Sequence, residues 1–231
     1  GTALGWREWI DLARELAIWD ARLAEAPEQG LQEALLALRV GLRRDFGAYI
    51  ARHYPGWIAG DDADRPALSP DLVEEMVLPV LRERGRVLFV VVDCLRLDQW
   101  EALLPMVAPL FDVETSYYFS ILPSATPDSR NALFAGLFPR DIAASFPAWW
   151  TEAEEDALNA HEEDFLARQL ERVTGRPVPV RYDKLFGSED GEDLLKRLPS
   201  FLAQDGVTAL VFNFVDQLTH GRSEHPILLE V

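Results

Sequence analysis

Val87-Leu88-Phe89-Val90-Val91-Val92-Asp93 is the stretch that decides the fold. Apolar, mostly β-branched residues run without a polar break and stop at a carboxylate. So short a run, flanked by Gly85, reads as a strand buried on both faces of a parallel sheet rather than as a helix. It has a counterpart late in the chain, Ala209-Leu210-Val211-Phe212-Asn213-Phe214-Val215, again followed by an aspartate, Asp216. Between the two, strand-like and helix-like segments alternate. A weaker strand is expected at Val113 to Tyr118, a helix from Pro127 to about Leu137, and a short strand at Val178 to Arg181. A further helix is expected from Asp190 to Gln204. Thr151-Glu152-Ala153-Glu154 has capping-box spacing ahead of a long acidic helix. The alternation predicts an α/β layered domain with a largely parallel sheet over residues 85–231.

Upstream of Gly85 the periodicity changes from strand-like to helical. Trp6, Trp9, Ile10, Ala13, Leu16, Ala17 and Leu23 recur at spacings of three and four, and Pro27 and Gly30 break the run. Leu31, Leu35, Leu38, Leu42, Phe46 and Ile50 form a second stripe, with Tyr54-Pro55-Gly56 as its expected end. After the turn-rich linker at residues 60–66, Ser69-Pro70 pairs a capping residue with a proline and predicts a third helix to about Arg84. Three amphipathic helices over residues 1–84 predict a small three-helix bundle.

The composition narrows the function. The chain has 231 residues, and 39 acids against 22 bases give a formal charge of −17. This excludes a duplex nucleic acid surface, which needs a basic stripe. A phosphate-bearing substrate stays open, because bound divalent ions reverse the sign of the field inside a site. Cys94 is the single cysteine, so no intrachain disulfide forms. No stretch approaches the roughly 20 apolar residues of a membrane span, and Gly1 to Arg7 carry no signal pattern. A cytoplasmic protein is the expectation.

In open parallel sheets ligands bind beyond the carboxyl ends of the strands. Asp93 and Asp216 lie at equivalent ends of the two strongest strand runs, where a carboxylate is costly unless paired, hydrogen-bonded or metal-bound. One such aspartate reads as a helix cap; two suggest a shared site. Asp216 and His220 stand at i,i+4, so on a helical turn carboxylate and imidazole face one cation together. That donor pair suits zinc, and also iron or manganese. Thr126, before Pro127, reads as a helix N-cap. The same placement exposes its hydroxyl where free N–H groups and the macrodipole favour phosphate, and a neighbouring metal makes the hydroxyl a competent nucleophile. Arg130 and Asn131 follow on the same segment as candidate substrate contacts. Cys94 reads as a small buried residue, and Trp149 and Trp150 as core or a partner surface.

These segments resemble a known family. Val90-Val91-Val92-Asp93-Cys94-Leu95-Arg96 resembles the strand that carries the first metal-binding aspartate in the alkaline phosphatase superfamily. Thr126, with Phe134-Ala135-Gly136-Leu137-Phe138-Pro139 downstream, resembles the nucleophile segment of its phosphodiesterase branch. Asn213-Phe214-Val215-Asp216-Gln217-Leu218-Thr219-His220 resembles its aspartate-histidine metal pair. In wording the chain is most similar to the PglZ domain as found in PorX-type response regulators, with the helical bundle in front.

The resemblance implies two zinc ions, Thr126 as a nucleophile forming a phosphoenzyme, and hydrolysis of phosphate esters, phosphodiesters or oligonucleotides above all. Asp93 with Thr126 would form half of one metal site, and Asp216 with His220 half of the other. The family's remaining ligands are expected beyond Val231, so the domain reads as C-terminally incomplete, with no receiver domain expected ahead of the bundle. A competing reading is a non-catalytic signalling module docking a secretion or transcription partner, or a second copy of the chain, through the bundle and the aromatics at Phe146 to Trp150. A sulfatase is disfavoured by Thr126 at the nucleophile position. A phosphomutase shares the same metal set.

Overall fold

The computed structural model describes residues 4–26, 28–150, 159–186, 188–213 and 215. The chain divides into two compact units, residues 1–66 with 96–117, and residues 67–95 with 118–231.

The first unit holds α1 (Trp6–Glu25), α2 (Gln29–Ala59) and α4 (Leu97–Val107). Trp9 lies edge-on against Phe46 at 5.1 Å between ring centroids. Trp57 is the most deeply buried apolar side chain here. α2 does not stop at Tyr54-Pro55-Gly56 but runs to Ala59, where Gly60 takes φ +75°. Pro55 removes one ladder hydrogen bond. The ring contacts of Tyr49 with His53 (4.4 Å) and Trp57 (6.0 Å) hold the helix together across it. α4, not the segment starting at Ser69, is the helix that packs on α1.

That segment belongs to the second unit and changes pitch along its length. A 3-10 turn (Ser69–Asp71) leads into a π turn (Val73–Val77) and then α3 (Leu78–Arg84). Ser69 does not cap: it is buried, and its hydroxyl accepts the N–H of Ile121 at 3.2 Å. β1 (Arg86–Val92), β2 (Val180–Leu185) and β3 (Gly206–Phe212) form a parallel sheet in the order β1-β3-β2, so the expected α/β fold is observed. Val92 and Leu185 both stand in register with Phe212, which brings three carboxyl ends to one edge. Gly206 opens β3 at φ +111°, where a Cβ would lie 2.2 Å from the Pro179 carbonyl oxygen.

β3 is buried along almost its whole length, as its apolar run predicts. β1 is not: Val87, Phe89 and Val91 pack on the core, whereas the alternate residues Leu88 and Val90, on the other face, are exposed. The segment Val113 to Tyr118 forms no strand; nearby, Phe119 makes a single bridge to Leu68. One bridge cannot sustain a ladder.

One sheet face packs against α5 (Thr126–Ala135) and α7 (Glu162–Thr174), with Phe134, Phe165, Leu166 and Leu170 meeting Val207, Ala209 and Val211. α6 (Pro139–Ser145) adds Ile142 to this core. On the other face α8 (Ser188–Leu202) covers Leu185 and Leu210 with Leu194. Phe146, Trp149 and Trp150 are half-buried against the first core, not an exposed partner surface. No helix among the described residues is long and apolar enough to cross a membrane.

Candidate functional site

The three carboxyl ends deliver Asp93, Asn213 and the β2 residues Tyr182 and Lys184. The ladder continues one step past the strands, with Asp93 N–H donating to Phe212 O and Asn213 N–H to Leu185 O, each at 2.9 Å. Asp93 does not cap a helix, since α4 begins four residues later with Arg96 at its N-cap. Its Oδ1 instead accepts the Cys94 N–H at 3.1 Å. Cys94 takes φ +59° and is exposed, contrary to the buried reading. The reason is local: the strand ends at Val92, so alternation no longer governs the next side chains.

The centre of the site is Arg130, projecting from α5 and only 5% exposed. Its Nη1 donates to Asp93 Oδ2 at 2.7 Å and to Asn213 Oδ1 at 3.0 Å. Its Nε donates to Glu162 Oε1, and its Nη2 to Glu162 Oε2 at 3.3 Å. Glu162, the first residue of α7, is 1% exposed and also accepts the Tyr182 hydroxyl, with Lys184 Nζ 3.7 Å away. Burial works against the Arg130 charge, but the carboxylates of Glu162 and Asp93 outweigh it and its pKa is raised. Burial, then the Glu162 charge, pushes the Tyr182 phenol up. Two carboxylates face two cations, so the cluster is balanced. That balance is what makes buried ionised groups tolerable.

Sequence reasoning missed Glu162 and Tyr182. The available signal was position: Glu162 shares the buried stripe of α7 with Phe165, Leu166, Gln169 and Leu170. A glutamate at an apolar position requires a cation.

Thr126 is the first residue of α5 and is half-buried; Ala125, not Thr126, occupies the N-cap. The donors at this end are fewer than the sequence suggested. Pro127 has no N–H, and those of Asp128 and Ser129 point to the Ala125 carbonyl at 3.0 and 2.9 Å. Asn131 is fully buried on the core side of α5. The structure thus joins Arg130 to Asp93 and engages its guanidinium with protein acceptors. Asp216 and His220 lie outside the described residues, as does the capping-box segment Thr151 to Glu154.

Among the described residues no group of three His, Cys, Asp or Glu side chains is poised to hold a metal ion. By donor chemistry, the Asp93 carboxylate, and the Asp216 carboxylate with the His220 imidazole, are of the kinds a divalent ion takes. Asp93 is 14% exposed.

Comparison with known families agrees with this architecture. Residues 72–231 match the BREX system PglZ alkaline phosphatase-like domain, and residues 1–58 match the PorX response regulator linker domain. No curated protein matches the chain. The alkaline phosphatase-like superfamily generally uses metal ions, which accords with the carboxylate of Asp93 at the end of β1. With a parallel sheet that ends in Asp93, and a family match over more than half its length, the chain belongs to the PglZ alkaline phosphatase-like family.

Proposed function

We propose that the α/β unit is a zinc-dependent phosphodiesterase effector domain of a two-component signalling protein, acting on phosphodiester or oligonucleotide substrates. The observation that carries this reading is Asp93. It is a carboxylate at the carboxyl edge of the sheet, in a segment matched to an alkaline phosphatase-like domain, with a PorX-type linker in front.

Asp93 with Thr126 would contribute to one zinc site, and Asp216 with His220 to a second. Bound zinc would supply a Lewis acid for the charge on the phosphoryl oxygens and lower the pKa of the threonine hydroxyl. Thr126 attacks phosphorus, its hydroxyl proton leaves as the P–O bond forms, and the leaving alcohol departs. Water then hydrolyses the phosphothreonine, restoring the hydroxyl. The α5 dipole favours the anionic substrate at Thr126. Arg130 is assigned to Asp93 rather than to substrate, because its donors already meet Glu162, Asp93 and Asn213.

The test is hydrolysis of bis(p-nitrophenyl) phosphate by the zinc-loaded protein, beside Thr126→Ala. The expected result is turnover in the wild type and loss of at least about a hundredfold in the variant, as for other nucleophile removals. Equal rates would sink the nucleophile.

One observation favours a docking role as the alternative. Leu36 and Val40 of α2, each 63% exposed, leave apolar surface open on the helical unit, where a secretion or transcription partner would bind. Partner binding that survives Thr126→Ala, with no hydrolysis by the wild type, would select it.

A further inference from the structure

We infer that Glu162 is a positioning residue for Asp93 and acts through Arg130. The inference rests on the reading of Asp93 as a metal ligand. Arg130 holds Asp93 by one nitrogen, and a guanidinium held by one nitrogen alone can swing. Glu162 prevents this by engaging Nε and Nη2 with its two oxygens, fixing the plane of the fork. Glu162 is itself fixed by the Tyr182 hydroxyl and approached by Lys184. The linkage runs from β2, through the head of α7, to the middle of α5 and on to the end of β1. At its far end stands a carboxylate with Oδ2 held by Arg130 and Oδ1 by the Cys94 N–H.

Stability does not account for this arrangement. A buried ion network is often no more stable than apolar residues of equal volume. Five ionisable groups converge here, and two of them, Glu162 and Arg130, form a direct chain onto the strand-end carboxylate of Asp93. Fixing that carboxylate is what the chain accomplishes. Outer partners of metal ligands act in this way, and their loss typically weakens metal affinity about 10–100-fold.

The experiment compares wild type, Glu162→Gln and Tyr182→Phe, each shown to be folded by far-ultraviolet circular dichroism. Two quantities are read: zinc affinity by calorimetry, and the rate at which the Cys94 thiol of the metal-free protein reacts with Ellman's reagent. Cys94 reports on Asp93 because its N–H is bound to Asp93 Oδ1. Glu162→Gln keeps the shape but removes one acceptor and the charge. Its zinc dissociation constant is expected to rise at least about tenfold, and its thiol rate to rise severalfold. Tyr182→Phe, which keeps every charge, should move both the same way by less, and it decides the matter if Glu162→Gln does not fold.

An unchanged thiol rate in a folded Glu162→Gln protein overturns the inference. So does a raised rate with unchanged zinc affinity, since Asp93 would then not be positioned for metal. Absence of zinc binding by the wild type instead sinks the metal reading of the site, and the thiol rate still decides whether Glu162 holds Asp93.

Discussion

Asp93, at the end of β1, and Glu162, at the head of α7, share one guanidinium: Arg130 gives Nη1 to the first and Nε with Nη2 to the second. Two carboxylates far apart in the chain thereby become a single electrostatic unit, and the α5–α7 layer is fastened to the carboxyl edge of the sheet.

Removing the shared cation is therefore expected to be severe. Arg130→Met leaves Glu162 and Asp93 without the guanidinium in a site where the former is 1% exposed. A loss of about 3–5 kcal/mol is expected, measured from the urea midpoint. Arg130→Met/Glu162→Gln should recover at least about 1 kcal/mol, since one of the buried charges has gone. Additive losses would contradict the pairing.

Gly136 closes α5 at φ +61°, and a Cβ there would lie 2.2 Å from the buried Gln169 amide and 2.8 Å from Arg172. Arg172 donates to the Ala135 and Gly136 carbonyls, so displacing it also uncaps the helix. Gly136→Ala should cost at least about 1–2 kcal/mol from the left-handed backbone alone. An unchanged thermal midpoint would contradict this.

Tyr182 gives a pH signature. Its phenol is raised in the folded state, by burial first and by Glu162 next. The folded protein therefore keeps this proton where the unfolded chain releases it, above about pH 10. Stability is fully present below that pH and falls as pH rises beyond it. Between about pH 9 and about pH 11 the wild-type midpoint should drop further than that of Tyr182→Phe. Equal slopes would show that the phenol is not raised in the folded protein.

Much of the fold was legible because it rests on local pattern. The β1 run and the helix at Thr126 stand close to where the sequence places them, whereas β3 spans Gly206–Phe212, three residues ahead of its expected run, so that Asn213 rather than Asp216 follows the strand. Errors came where tertiary contacts override a local signal. Pro55 reads as a stop, but the Tyr49–His53–Trp57 ladder carries α2 past it. Ser69 reads as a cap, but its hydroxyl serves Ile121, distant in the chain. Val113 to Tyr118 has strand composition but forms no strand pairing among the described residues.

In the site, Asp93 was legible from its place at a strand end. The role of Arg130 was not, because its partners lie 32, 37 and 83 residues away. No spacing rule connects them. Only the sheet register and the α5–α7 contact do.

The central claim, that Asp93 and Asp216 of this chain hold zinc for phosphodiester hydrolysis, is tested most directly by a calorimetric zinc titration of the wild type beside Asp216→Ala. The account predicts tight binding in the wild type and a loss of at least about tenfold in affinity in the variant, as expected on removing a ligand. No binding by the wild type, or equal affinity in both, would contradict it and leave the docking module as the leading reading.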